Sequence, residues 1–253
     1  MTQWGKKNVV NFYSSNRNKI EDLYLSERKP LSYIKKKKIK SVLDYGCAVG
    51  GFYRIFRTYF SNNIYYHGVD IEKNVITEAK KKFKRFNRVK FSNVKNVKLK
   101  EKSNKYSLSF CTGVLNHNNN YKSIISELIR VSSKYIFIDS PRVHVGKSFV
   151  GKLNLSNRFP SEIKSNNIVS NYTVNLKNYL LFLRGIFKKN KIKEAIFFHG
   201  DLPYKKKYLK KNKKISFLTF LCEKRKKINN SKFKILTKDK KIKKLFNSIF
   251  INV

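Results

Sequence analysis

SVLDYGCAVGGF, residues 41–52, is the stretch on which the reading of this chain turns. Ser41, Val42 and Leu43 read as an apolar strand that stops at an acid, Asp44. A turn rich in small residues follows, with Gly46, Ala48, Gly50 and Gly51 letting backbone approach a bound nucleotide closely. A second apolar run, IYYHGVD at 64–70, also ends in an acid, Asp70. A strand, glycine turn, helix, strand and acid in that order is how a doubly wound sheet grips an adenosine cofactor. A carboxylate before the glycines disfavours a diphosphate and suits a cationic ligand with an amino-acid end. The spacing is not G-x-G-x-x-G, and there is no P-loop lysine. Asp70 can accept both hydroxyls of a ribose, because a diol offers two donors to two carboxylate oxygens. The competing role for Asp70 is a helix N-cap.

Strand and helix patterns alternate outward from this unit. Phe52–Tyr59 starts a helix. Val75–Phe86 carries Val75, Ala79, Phe83 and Phe86 on one stripe. Val89–Val94 reads as a third strand and Leu108–Thr112 as a fourth. Tyr121–Ser132 is a helix with Ile124, Ile125, Leu128, Ile129 and Val131 inward, and Tyr135–Ile138 is a fifth strand. The alternation predicts an α/β fold: a doubly wound, mostly parallel seven-stranded sheet with an antiparallel last strand. The closing pair is Ala195–His199 and Ile215–Cys222, joined by a loop carrying Lys205–Lys207, Lys210, Lys211, Lys213 and Lys214. Five segments follow: a helical lead-in at 1–34, a nucleotide-binding core at 35–140, an acceptor-side cap at 141–190, the closing strands at 191–225, and a basic tail at 226–253. In the lead-in, Ile20, Leu23 and Tyr24 stand at helical spacing before Pro30 interrupts. Val143–Asn171 shows no period and reads as irregular, Leu176–Phe187 as an apolar helix, and Lys241–Ile249 as a short amphipathic one.

Composition limits the partners. The chain has 58 Lys and Arg against 15 Asp and Glu, a net charge of +43. Such a surface attracts RNA or an anionic membrane. The same excess also arises from compositional drift, since Lys, Asn, Ile, Phe and Tyr are abundant together and share A/T-rich codons. The basic residues are spread along the chain, which favours drift as the main cause. Cys47, Cys111 and Cys222 lie far apart, and the four histidines are scattered, so neither a disulfide framework nor a metal site is expected. The N-terminal MTQWGKKNVVNFYSS has no apolar core of a signal peptide, and a reducing cytoplasm is the expected location.

LDYGCAVGG resembles motif I of the class I S-adenosylmethionine-dependent methyltransferases, and HGVDIEKNVITEAKKK resembles their motif II. SLSFCTGVLNHNNNYKSIISELIRVSSKYIFIDSP is similar to their next stretch, from fourth strand to fifth. The resemblance covers about residues 38–140. It implies that Asp44, Gly46, Cys47 and Gly50 contact the methionine part of S-adenosyl-L-methionine, Asp70 the ribose and Ile71 the adenine. It places Cys111 and Thr112 near the sulfonium. Ala48 stands where the family often has glycine. The acid that often follows the third strand is missing, leaving Asn93 or Asn96 to meet the adenine. His117, at the mouth of the fourth strand, is either a base for an acceptor hydroxyl or a residue that shapes the pocket. Tyr13, Arg17, Arg142 and His144 fall on the expected acceptor side, and Tyr24 is expected to pack. The function implied is O-methylation of a small-molecule or glycan hydroxyl. The alternatives are an RNA methyltransferase, or a non-catalytic binding protein on this fold. The fourth strand ends in CTGVLNH, without the Pro-Pro-aromatic motif of base-amino methylation.

Overall fold

The computed structural model describes residues 3–35, 37–154, 168–192, 194–201, 215–224 and 232–251. The lysine-rich loop between the closing strands lies outside the described residues, as do parts of the expected cap and tail. The chain opens with α1 (Lys7–Ser15), a 3-10 turn at Ile20–Asp22, and α2 (Leu25–Ile34). The helical spacing of Ile20, Leu23 and Tyr24 is realised only as that turn. Its cause is local: Asp22 Oδ2 accepts the backbone N–H groups of Asn18 at 2.9 Å and Lys19 at 3.1 Å, which competes with continuous helix. Glu27 Oε2 accepts Tyr24 N–H at 2.9 Å and so starts α2. Pro30 does not end the helix as expected. Leu31 and Ile34 on the same helix are fully buried, and that packing outweighs the lost hydrogen bond at the proline.

The core follows the predicted alternation: β1 (Ser41–Tyr45), α3 (Gly51–Tyr59), β2 (Tyr65–Asp70), α4 (Lys73–Lys82), β3 (Val89–Asn93), β4 (Tyr106–Cys111), α5 (Tyr121–Val131) and β5 (Ser132–Asp139). β1 and β4 lie at its centre and are buried on both faces. Next come β6 (Arg142–His144), β7 (Phe149–Asn154) and β8 (Ile168–Asn175), where an irregular segment was expected. Their period is hidden because they pack in two places, Val169 on α1 and Val143 and Val174 on the main core, with exposed and half-buried residues between. The chain closes with α6 (Leu176–Lys189), β9 (Glu194–Asp201), β10 (Ser216–Glu223), β11 (Lys232–Leu236) and α7 (Lys240–Phe250). Both late helices are capped from within. Asn175 Oδ1 accepts Asn178 N–H at 2.9 Å, and Asp239 Oδ1 accepts Lys241 N–H at 2.9 Å and Ile242 N–H at 3.1 Å.

Seven strands form the expected sheet in the order β3-β2-β1-β4-β5-β10-β9, in which β10 alone runs antiparallel. β11 adds to β9 in parallel. β6, β8 and β7 form a wing that joins β10 at Ser216 opposite Val143. One face of the sheet is covered by α5, α6 and α7, the other by α2, α3 and α4. The carboxyl ends of β1, β2 and β4 open on the same edge as the wing. That edge is where ligands bind in open α/β sheets.

Candidate active site

The turn after β1 is stitched to the neighbouring strand. Gly46 and Cys47 donate their N–H groups to Val69 O at 2.8 and 3.1 Å. Gly46 and Gly50 have φ of +79° and +78°, the left-handed region. A Cβ at Gly46 would lie 2.1 Å from Val114, and one at Gly50 2.6 Å from the Phe91 ring. Both positions therefore demand glycine twice over, for conformation and for space. Asp70 closes the turn from below: Oδ2 accepts Ala48 N–H at 3.0 Å and Oδ1 accepts Glu72 N–H at 3.0 Å. Each carboxylate oxygen keeps a lone pair for a further donor. Burial pushes the Asp70 carboxyl up to about 6, against the lowering effect of those backbone donors.

A cavity of about 750 Å³ lies on this turn. Gly46, Cys47, Asp70, Ile71, Thr112 and His117 line it, as do Tyr13 and Arg17 of the lead-in. Ile71 is 62% exposed at its mouth. Other expected residues stand behind the wall. Asp44 is 1% exposed and accepts a hydrogen bond from Tyr66 Oη; burial pushes its carboxyl up to about 7. Gly50 and the buried Cys111 lie outside the lining residues. The Cys47 and Cys111 thiols are both pushed well up by burial, so neither is a thiolate. Asn93 donates its amide to Asp70 O at 3.0 Å and Ile71 O at 2.8 Å, bracing the end of β2, while Asn96 lines the cavity. Arg142 and His144 lie on the wing and not in the lining.

The opposite wall is assembled from distant segments. His117 ends a 3-10 turn at Leu115–His117. Its Nδ1 lies 2.7 Å from Ser170 O, and a carbonyl only accepts, so Nδ1 carries the proton. Nε2 then holds the lone pair and accepts the Asn116 amide at 2.9 Å. The Trp4 ring lies 4.8 Å from the imidazole. Beside it, Glu27 of α2 is fully buried and binds three donors: the Arg17 guanidinium, Thr112 Oγ1 at 2.5 Å and Tyr24 N–H at 2.9 Å. Arg17 also lies 4.4 Å from the Tyr24 ring centroid and 5.0 Å from that of Phe52. Burial alone would lower its pKa, but Glu27 overrides this and holds it protonated. Trp4, Glu27, Asn116 and Ser170 were missed in the sequence. Only Trp4 carried a signal there, as the one tryptophan of the chain.

A family profile described as a methyltransferase domain matches residues 36–200. This chain belongs to that family. The methyltransferase is of the class I, S-adenosylmethionine-dependent type, and S-adenosyl-L-methionine is its cofactor. A comparison with curated proteins finds no match. Solved structures share its fold at low identity. The YcgJ protein from Bacillus subtilis is 14% identical with a TM-score of 0.53, covering 80% of this chain and 99% of that one. The PH0226 protein from Pyrococcus horikoshii is 18% identical with a TM-score of 0.51, covering 88% and 97%. Phosphoethanolamine N-methyltransferase 2 from Haemonchus contortus, in complex with S-adenosyl-L-methionine, is 14% identical with a TM-score of 0.53, covering 85% and 59%. The residues present fit the cofactor: the backbone of Gly46, Cys47 and Ala48 lines the cavity, and a buried carboxylate with lone pairs to spare, Asp70, stands beside it. Among the described residues, no group of three or more His, Cys, Asp or Glu could hold a metal ion, and no helix is long and apolar enough to cross a membrane.

Proposed function

We propose that this methyltransferase O-methylates a hydroxyl of a small-molecule or glycan acceptor. The observation that carries the reading is the tautomer of His117: the Ser170 carbonyl holds the proton on Nδ1, which leaves Nε2 as a basic atom in the cavity wall. Bound S-adenosyl-L-methionine supplies a methyl group made electrophilic by its sulfonium. Asp70 would receive the ribose hydroxyls, Ile71 and Asn96 would flank the adenine, and the backbone of Gly46 and Cys47 would meet the methionine end. Asp44 acts through the turn, as a buried carboxylate behind it. Thr112, fixed by Glu27, shapes the wall at the end of β4. His117 Nε2 orients the acceptor hydroxyl and takes its proton, with Asn116 yielding its hydrogen bond. Holding the acceptor in line supplies much of the acceleration, so the base adds to positioning and does not replace it. The lead-in, through Trp4, Tyr13 and Arg17, acts as a lid. The three buried thiols fit a reducing, cytoplasmic location.

The test is methyl transfer from labelled cofactor to a panel of sugars, glycans and RNA. The expected product is a methyl ether on a sugar or small-molecule hydroxyl. His117→Gln is expected to lower kcat by about 100-fold or more with cofactor affinity unchanged. Label on a base nitrogen, or an unaltered kcat in His117→Gln, overturns the reading. The charge of +43 supports a second, weaker contact with RNA or an anionic membrane. That contact is expected to vanish as salt rises, and retention of RNA at 0.5 M salt with label in the RNA would favour an RNA acceptor instead.

A further inference from the structure

The charge of the chain does not enter the cavity. Two of the 28 residues that line it are Lys or Arg, against 58 of 253 in the whole sequence. Of these two, Arg17 is engaged by Glu27, and Lys95 adjoins Asn96 on the side proposed for the adenine. The lining carboxylates, Asp70 and Glu72, stand together where β2 ends, on the side proposed for the cofactor. The lining residues contributed by the His117 segment and by β8 include no Asp, Glu, Lys or Arg. An anionic acceptor would find no cation on that wall, and a cationic one no carboxylate.

β8 supplies that wall with a row of its own. Ile168, Ser170 and Tyr172 alternate along the strand and share a face, and all three line the cavity. Ser170 is the residue whose carbonyl fixes the His117 tautomer, so Ile168 and Tyr172 stand roughly 7 Å to either side of it along the strand. Ile168 is 48% exposed. Of the exposed large apolar residues, Ile71 and Ile168 line the cavity; the adenine accounts for Ile71, and Ile168 is left for the acceptor. We infer that the acceptor is a phenol, an uncharged ring that lies on Ile168 and Tyr172 while its hydroxyl meets His117 Nε2. The ring covers the aliphatic side chain and packs on the aromatic one, and Asn118 and Asn120 add the few polar contacts that fix orientation. A sugar would turn several hydroxyls towards Ile168, where they find no partner. A phenol also suits a single imidazole base. It gives up its proton near about 10, as a tyrosine does, whereas an alcohol lies nearer the roughly 15.7 of water. The inference rests on the hydroxyl reading and narrows it to one class of small molecule.

The experiment titrates 4-ethylphenol, methyl glucoside and phenyl phosphate separately into the enzyme loaded with S-adenosylhomocysteine, by calorimetry at pH 7 and about 0.15 M salt, which screens the surface lysines. 4-Ethylphenol is expected to bind saturably and at least about tenfold more tightly than either of the others. Ile168→Asp is expected to weaken the phenol at least about tenfold, and Tyr172→Ser about threefold, with S-adenosylhomocysteine affinity unchanged. Ile251→Asp, at a residue 54% exposed and outside the lining, is expected to leave the phenol within about twofold. No saturable binding of the phenol overturns the inference. So does glucoside or phosphate binding as tight as the phenol, or an unmoved phenol affinity in Ile168→Asp. Should Ile168→Asp lose S-adenosylhomocysteine, an unmoved affinity in Tyr172→Ser overturns it alone. No methyl is transferred in these titrations. A phenol that binds through Ile168 but gains no methyl on oxygen breaks the hydroxyl reading, whereas a methylated glucoside with no phenol binding breaks the phenol inference alone.

Discussion

The two walls of the cavity are built in opposite ways. One wall is built mainly from one stretch of chain, residues 45–72, whose turn, strand and acid are tied by backbone hydrogen bonds and by Asp70. The opposite wall brings together Trp4, His117 and Ser170 from separate segments, with Glu27 behind it holding Arg17 and Thr112. A wall made of local backbone tolerates the loss of a side chain behind it. A wall made of side chains from distant segments fails when its shared partner is removed.

The largest expected effect is therefore at Glu27. Glu27→Ala leaves the Arg17 guanidinium buried without its partner and frees Thr112, and we expect a loss of about 3–5 kcal/mol in stability by denaturant unfolding. A loss below 1 kcal/mol would show that the lead-in is not fastened there. Asp44 sharpens the contrast from the other side. Its carboxyl, about 7 when folded against 3.8 unfolded, binds its proton more tightly in the folded state. Stability from this group is therefore full below pH 3.8 and lost as pH rises through 7. Asp44→Asn is expected to abolish this slope and to stabilise the ligand-free protein at pH 8 by a few kcal/mol, on the order set by the shift. His67, pushed down to about 4 by burial, acts oppositely between pH 6.5 and 4, so the slope is read as the difference between the two proteins. An identical pH profile for both would show that Asp44 is not the titrating group.

Asp70→Ala removes the clasp on Ala48 and the ribose acceptor together. Calorimetry is expected to show about 100-fold weaker binding of S-adenosylhomocysteine, near 2.7 kcal/mol. Binding within threefold of the unmodified protein would move the ribose elsewhere. The smallest effect is expected for Trp4→Phe, which keeps an aromatic ring against His117. Turnover should fall by less than about tenfold, with cofactor affinity unchanged. A larger fall would make Trp4 part of the acceptor wall proper.

The predicted order of strands and helices from β1 to β5 matches the structure within a few residues, because parallel strands buried on both faces and one-sided helices write their periods directly into sequence. The left-handed turn was legible too, since only glycine satisfies both φ and space at positions 46 and 50. Pro30 was misread because its cost is local while the burial of Leu31 and Ile34 that offsets it is not. The wing is not legible because its strands bury single residues against different elements, Val169 on α1 and Val143 and Val174 on the main core, which leaves no clean apolar period.

By itself the sequence determined the strands and helices from β1 to β5, the glycine turn and the acid that closes it, since each is a property of residues adjacent in the chain. Only the tertiary structure decided which residues line the cavity. It set Asp44 behind the wall, chose Asn96 over Asn93 for the lining, and gave His117 its tautomer through a carbonyl 53 residues away. Those choices depend on contacts between distant segments, which no local pattern of residue types records.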